Sequence, residues 1–399
     1  MMCAARVRSV VALLVVGALA VLAGCNSTGF SGAGGGPRIQ TNAPVTGQTI
    51  GTGSVRIALL LPLSATGNAG QIAQTFRNAA DLALRDFKTS DIQILVKDDL
   101  GTPDGGRAAA TEAISEGAQL ILGPLFAGSV AAVSQVARAS NIPVIAFSTD
   151  TTQAAQGVYL LSFLPQSDVD RIIGFAASRG KKSFAALIPN NAYGTVIEAA
   201  LQRAVANASG RVMTSQHYDL DKLSMQQQAN SVATLAKSGT IDSIFMPDAG
   251  DAAPFLAQVM AADGIKPGSV QYLGSGQWDD PRIAGESNLT GGWFPGPDAS
   301  GFNAFAKRYQ AAFGAAPYRA ATLAYDATSL AAGLSARFGD QRFSRQTLTN
   351  PNGFIGVDGA FRFLPNGLNQ RGLAVYEVKN GQSVMIDPAP KSFAKPPGT

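Results

Sequence analysis

From Val55 onward, short apolar runs alternate with amphipathic stretches, and no other feature of the chain narrows its fold as far. VRIALLLPL (55–63) is apolar but for Arg56, the pattern of a buried strand. In AGQIAQTFRNAADLALRDF (69–87), Ile72, Phe76, Ala79, Ala80, Leu82, Ala83 and Phe87 recur near a 3.6-residue period and predict a helix. IQILVKD (92–98), LILG (120–123) and IPVIAF (142–147) read as further strands. GRAAATEAISEG (106–117) and SVAAVSQVARAS (129–140) read as the helices between them. Strands separated by single helices predict a parallel sheet covered on both faces.

The series then restarts. SDVDRIIGFAASRG (167–180) predicts a helix with Ser167 as N-cap and Gly180 as its exit. SFAALIP (183–189), RVMTSQHY (211–218), IDSIFMP (241–247) and SVQYLG (269–274) predict strands. Helices are expected at 193–210, 225–239, 252–264, 298–314 and 320–339, followed by a hairpin-like stretch over 359–378. A folded part this long exceeds one comfortable core, so two α/β lobes are expected, the first series ending near FLPQSD (163–168). Ligands of open α/β sheets sit beyond the C-terminal strand ends, so two facing sheets make a cleft.

The N-terminus sets the compartment. Arg6 and Arg8 precede an uncharged run, Val10–Gly24. At 15 residues it is short of the ~20 needed to span a bilayer and matches a secretory signal instead. Leu22-Ala23-Gly24-Cys25 resembles the bacterial lipobox, which implies cleavage after residue 24 and lipidation of Cys25. Residues 26–54 are rich in Gly, Ser, Thr, Asn and Pro and predict a flexible tether with a reach of about 30 Å. The proline-rich end, 391–399, is expected to be loose. Asn26, where an aspartate would resemble an inner-membrane retention signal, favours the outer membrane.

Composition removes several function classes. Cys3 leaves with the signal and Cys25 carries lipid, so the mature chain has no thiol for catalysis, metal binding or disulfides. Losing Arg6 and Arg8 leaves 29 basic against 27 acidic residues, with no basic cluster interleaved with aromatics, so no nucleic acid is expected. His217 is the one histidine and falls inside a predicted strand. There is no Gly-x-Ser-x-Gly elbow and no Walker motif. Ser178-x-x-Lys181 superficially resembles a penicillin-binding enzyme motif, but Ser178 falls in a helix's last turn rather than its first. Asp98-Asp99 and Asp279-Asp280 read as a strand exit and a helix cap. No catalysis, metal or cofactor is expected.

The order of elements and loops resembles the type I periplasmic binding proteins, in particular the leucine/isoleucine/valine-binding family. LLLPLSATGNAG, VKDD (96–99), ILGPLFAGSV, IPVIAFSTD, IPNNAYG (188–194) and TLAYDATSLAAG (322–333) carry the resemblance, which covers about residues 55–380. It implies two Rossmann-like lobes with parallel central sheets and a three-strand hinge. The N-terminal lobe would be 55–163 plus 297–345, and the C-terminal lobe 164–296 plus 346–390. It also implies a ligand cleft lined by Ser64, Thr66, Phe126, Ser148, Thr149, Tyr193, Asp248 and Trp278. Turn and helix-capping chemistry is an equal reading of Ser64 and Thr66, and Phe126 and Trp278 would fill the cleft wall.

Amino-acid receptors of this family hold a ligand carboxylate with a serine and a threonine of the first lobe, and its ammonium with an acid and a tyrosine of the second. Ala127, Asp150, Gly276 and Ala249 fall at those places here. With the standard anchors gone, the closer resemblance is to penicillin-binding protein activators, carried by ALLLPLS, GPL and IPVIAFS. That branch implies a lipid-anchored periplasmic protein that stimulates a peptidoglycan synthase. The alternative is the substrate-binding lipoprotein of an ABC importer, with a permease as partner and a small polar solute such as an amino acid in the cleft.

Overall fold

The computed structural model describes residues 42–87 and 91–394. The signal segment, Cys25, the tether as far as residue 41 and the last five residues lie outside the described residues.

The first lobe is built on a six-stranded sheet. Its elements are β1 (Gln48–Ile50), β2 (Val55–Leu61), α1 (Asn68–Asp86), β3 (Ile92–Asp98), α2 (Pro103–Ser115), β4 (Ile121–Leu122), α3 (Ala127–Ala139), β5 (Val144–Ala146) and β6 (Val158–Leu160). The strand order is β1-β3-β2-β4-β5-β6, parallel except for β1. β2 pairs with β3 from Val55↔Ile92 to Leu61↔Asp98, and six of its seven residues, all but Arg56, enter two separate cores. On one face lie Val55, Ile57, Leu59 and Leu61 with Phe76 and Ala80 of α1; on the other lie Ala58 and Leu60 with Ala110 and Val133. This double burial is why the strand sequence is apolar at every position but Arg56, whose guanidinium donates to the Glu116 carbonyl.

The chain crosses to the second lobe through Leu161–Pro165. There it forms α4 (Pro165–Ser178), β7 (Ser183–Pro189), α5 (Ala192–Asn207), β8 (Arg211–Tyr218), α6 (Lys222–Lys237), β9 (Ser243–Phe245), α7 (Ala252–Ala262), β10 (Gln271–Leu273), α8 (Pro281–Gly285) and β11 (Trp293–Gly296). α4 begins earlier than expected. Pro165 occupies its first turn with φ preset and no N–H to satisfy, so Leu164 is the N-cap and Ser167 lies buried within the helix.

The chain then returns. α9 (Ala299–Phe313) and α10 (Ala321–Phe338) bury Phe305, Tyr309, Leu323 and Leu330 in the first-lobe core beside α1. α11 (Arg345–Leu348), β12 (Phe354–Gly356), β13 (Gly359–Phe363) and β14 (Asn369–Arg371) come next. Leu348, Phe361 and Phe363 also enter that core, although residues from 346 onward were expected in the second lobe. Apolar side chains at 348, 361 and 363 hold this stretch to α10, and the chain crosses only after β14. β15 (Ala374–Lys379) and β16 (Gln382–Asp387) then complete the second sheet, β16-β15-β11-β10-β9-β7-β8, with β15 antiparallel to β11. Two lobes with parallel-rich sheets therefore share three crossing segments, 161–165, 296–299 and 371–374.

Two expectations for the chain's ends are corrected. Residues 42–54 are not a free tether. Gln48, Thr49 and Ile50 pair with Val96, Leu95 and Ile94, and the Ala43 N–H donates to the Ser115 carbonyl. The Thr46 hydroxyl donates to both Glu112 and Glu116, and the buried Lys97 ammonium donates to Glu112 at 2.7 Å, to Glu116 at 2.9 Å and to the Thr46 carbonyl at 2.9 Å. Glu116 is itself buried, so Lys97 neutralises it and the N-terminal segment closes the group over. Thr46→Ala should cost about 1–2 kcal/mol, and should speed amide exchange at 48–50 while leaving β2 unchanged. Unaltered exchange there would mean that Thr46 does not hold the strand. At the other end, Phe393 is not loose: the Arg362 guanidinium lies 4.7 Å from its ring centre, and its N–H donates to the Asn352 carbonyl.

Candidate functional site

The C-terminal ends of the parallel strands point toward the crossings, and two adjoining cavities lie there. One, of about 480 Å³, is walled by all three crossing segments: Phe163, Leu164 and Pro165, then Pro297, then Arg371 and Leu373. Arg319 reaches it from the residue pair before α10. Asp168 of α4, Tyr193 of α5, and Gly276, Gln277 and Asp279 after β10 close it from the second lobe. The other cavity, about 460 Å³, belongs to the first lobe, with Ile72, Phe76, Leu125, Phe147 and Leu323 beside Ser148, Thr149 and Asp150. Phe163 borders both. A larger space of about 600 Å³ opens beside Asn141, Ile142 and Pro143, at the N-terminal side of β5 and away from the crossings. Sheet architecture does not place ligand chemistry at that end.

The expected cleft residues divide. Phe126, Ser148 and Thr149 line the first-lobe cavity, and Tyr193 lines the cavity at the crossings. Phe126 is 42 % exposed and Ser148 uses its hydroxyl to accept the Asp150 N–H. The Tyr193 hydroxyl bonds Ser275 Oγ at 3.1 Å, which fixes the ring against the cavity, and burial raises its pKa.

The other four stand elsewhere. Ser64 and Thr66 are exposed in the loop after β2 and line neither cavity; they do not cap α1 either, whose N-cap is Gly67 with no side-chain bond. Asp248 accepts the Tyr218 hydroxyl at 3.0 Å and the Ala249 N–H at 2.9 Å, within its own lobe. Trp278 is not a cleft wall. It is wholly buried in the second-lobe core, with its indole N–H on the Asp248 carbonyl. A Cβ on Gly274 would sit 2.1 Å from the indole, so only glycine lets the backbone pass over that ring.

The cavity's charged residues were not anticipated. At Gly276, where the resemblance implies an acid, the backbone N–H donates to Asp168 Oδ2 at 2.9 Å, so the carboxylate arrives from α4 instead. Burial pushes the Asp168 pKa up to about 7, against the opposing effect of that bond. Arg319 donates to Asp358 at 2.5 Å, while Arg371 donates through Nε to the Ser162 carbonyl at 3.1 Å. Their guanidiniums lie 5.1 and 4.6 Å from the centre of the Phe163 ring. Arg371 is 4 % exposed and forms no ion pair among the described residues; burial lowers its pKa while Asp358 and Asp326 oppose that. In the sequence these arginines look like ordinary loop charges. Only their position beside chain crossings could have singled them out.

The sequence profile of the periplasmic binding protein family matches residues 54–383. This chain belongs to the periplasmic binding protein family. Its two-lobed type I arrangement also recurs in solved structures. A Rhodospirillum rubrum protein assigned to branched-chain amino acid ABC transport superposes with a TM-score of 0.73 at 18% identity, over 83% of this chain and 99% of that one. A branched chain amino acid ABC transporter periplasmic ligand-binding protein of Burkholderia xenovorans gives 0.63 at 17% identity, over 86% and 97%. A solute binding protein of R. palustris, in complex with benzoate, gives 0.55 at 20% identity, over 86% and 98%. Identities this low speak for the fold. Among curated proteins, the uncharacterized protein RP748 of Rickettsia prowazekii is 21% identical over 183 residues, 46% of this chain and about half, 48%, of that protein. Within this periplasmic binding protein, no described helix is long and apolar enough to cross a membrane. His217, on the edge strand β8, bonds Glu198 at 2.8 Å and lines neither cavity.

Proposed function

We propose that this periplasmic binding protein is the substrate-binding component of an ABC importer and takes a small organic solute between its lobes. The observation that carries this reading is the cavity at the crossings, where apolar and charged groups of both lobes converge on one space. Hinge motion at three segments would close the lobes on a ligand and present the closed form to a permease. Family membership supports the reading, as do the relatives: the Burkholderia protein is an ABC transporter ligand-binding protein, the R. palustris protein holds benzoate, and a related Desulfitobacterium hafniense protein holds Leu. The activator role rested on missing amino-acid anchors, and a cavity furnished with its own charged residues weakens that argument. Cys25, lipidated, would keep the receptor at a membrane; an importer's permease lies in the inner membrane, so the receptor reading sets aside the outer-membrane preference drawn from Asn26.

A thermal-shift panel of amino acids, organic acids, amides, sugars and muropeptides on the mature protein tests this. One chemical class should raise Tm by several degrees at a hundredfold excess over Kd, since such binding adds about 2.7 kcal/mol. Small-angle scattering should show contraction with the same ligand. No shift with any class, together with capture of a peptidoglycan synthase, would favour the activator instead.

A further inference from the structure

We propose that the end of the first lobe opposite the cleft docks on an anionic phospholipid surface, with a lipid phosphate seated between Arg138 and Arg345. The inference goes beyond the receptor reading, from which it takes only the lipid at Cys25, and it does not depend on which solute the cleft holds.

Ser54, Asp91, Leu120, Pro143 and Gly157 immediately precede β2 to β6 and mark this end of the sheet. The space of about 600 Å³ opens here, between the end of α3 and the start of α11. Arg138 and Arg345 line it, both exposed, and neither has an ion-pair partner among the described residues. No acid lines it. Tyr159 does; the residue is 1 % exposed, and its hydroxyl has no hydrogen-bond partner among the described residues. Burial raises its pKa and the Arg345 charge opposes that, which places a cation and an unpaired donor side by side. A phosphate oxygen is the acceptor that all three groups lack.

The surroundings extend the charge. α10 starts beside the first-lobe cavity and ends here with Arg337 and Phe338, the latter 44 % exposed. Arg342 follows, donating to Gln119 at 3.0 Å, and α1 ends on this side with the exposed Phe87. Acids at this end are engaged: Asp91 accepts from Ser54, buried Glu116 is paired with Lys97, and Asp340 lies 3.9 Å from Arg342. Arginines beside exposed phenylalanines suit the boundary between headgroups and acyl chains. The 29 basic and 27 acidic residues of the mature chain nearly balance, so overall charge does not supply this attraction.

The chain also enters at this end. Asn42 and Ala43 lie beside Gly117 and Gln119, and Thr46 holds their segment to Glu116. Only residues 26–41 then separate Cys25 from the folded lobe, a reach of about 20–24 Å for a tether of that composition. A lipid at Cys25 would bring this end to the bilayer and leave the cleft facing away from it.

Co-sedimentation of the mature chain carrying Cys25→Ser, which removes the lipid, with vesicles is the test. Vesicles of phosphatidylcholine with an equal part of phosphatidylglycerol should bind it at least about 10-fold more strongly than phosphatidylcholine alone, and salt of about 1 M, where the Debye length is about 3 Å, should release it. Arg138→Gln and Arg345→Gln should each weaken binding about 5-fold. Lys181→Gln with Lys182→Gln removes two charges from the second lobe and should leave binding unchanged. No preference for the anionic vesicles, undiminished binding by the double arginine variant, or an equal loss from the lysine pair overturns the proposal. A rise in Tm with inorganic phosphate or glycerol 3-phosphate, without vesicle binding, also overturns it and makes the space a soluble-anion site. Each of these outcomes leaves the receptor reading standing, since that reading falls only with the solute panel.

Discussion

Trp278→Ala should lower stability by about 3–5 kcal/mol, read from urea unfolding at fixed pH. The indole is wholly buried among Phe294, Ile283 and Leu289, and its N–H satisfies the Asp248 carbonyl. Truncation would leave a cavity and an unpaired carbonyl together. Gly274 and Gly292 could not fill the space, because each owes its glycine to the indole pressing on the backbone, with a Cβ at 2.1 and 2.8 Å from the ring. The loop between Gly274 and Asp279 also carries Gln277 and Asp279 to the cavity, so ligand binding should weaken with stability. A change below about 1 kcal/mol would show that Trp278 is not the pillar of that core.

Stability should fall as pH rises from 5 to 8, by roughly 5–7 kcal/mol. Burial raises Asp99 to about 6, and Asp168 and Asp326 to about 7, from an ordinary value of 3.8. Between pH 3.8 and these folded-state values the native protein keeps protons that the unfolded chain has released. Their contribution is therefore complete below the unfolded pKa and is lost as pH climbs through the folded one. Carboxylates with lowered pKa, such as Glu112 bonded to Lys97 and Asp150 bonded to Thr152, act oppositely and lose their contribution on acidification. An optimum near pH 4–5 should result. Urea titrations at each pH measure it, and Asp326→Asn should flatten the profile. Stability rising from pH 5 to 8 would contradict the burial of these groups.

The legible and illegible parts of the molecule differ in physical kind. The repeated strand–helix pattern is read from periodicity, because a strand buried on both faces must be almost wholly apolar, as β2 is apart from Arg56. β1 was missed because GQTIGTGS has the composition of a linker; its order comes from pairing with β3 and from Thr46 closing over Lys97 and Glu116. β6, only three residues long, has too little pattern to read. Among the expected cleft residues, Tyr193, Ser148, Thr149 and Phe126 come directly after strand ends, so topology alone places them near the crossings. Trp278 and Asp248 also come after strand ends, but their side chains turn into the lobe.

Local sequence by itself determined the two α/β series, the signal-like N-terminus with Cys25, and the absence of any thiol from residue 26 to the C-terminus. These rest on hydrophobic spacing and composition, which need no knowledge of distant contacts. Tertiary structure alone decided where charge goes. Arg319 and Arg371 lie far apart in the chain, and Asp168 lies 108 residues from the Gly276 N–H it accepts. Burial and ion pairing depend on which segments the three crossings bring together, and no local pattern encodes that meeting.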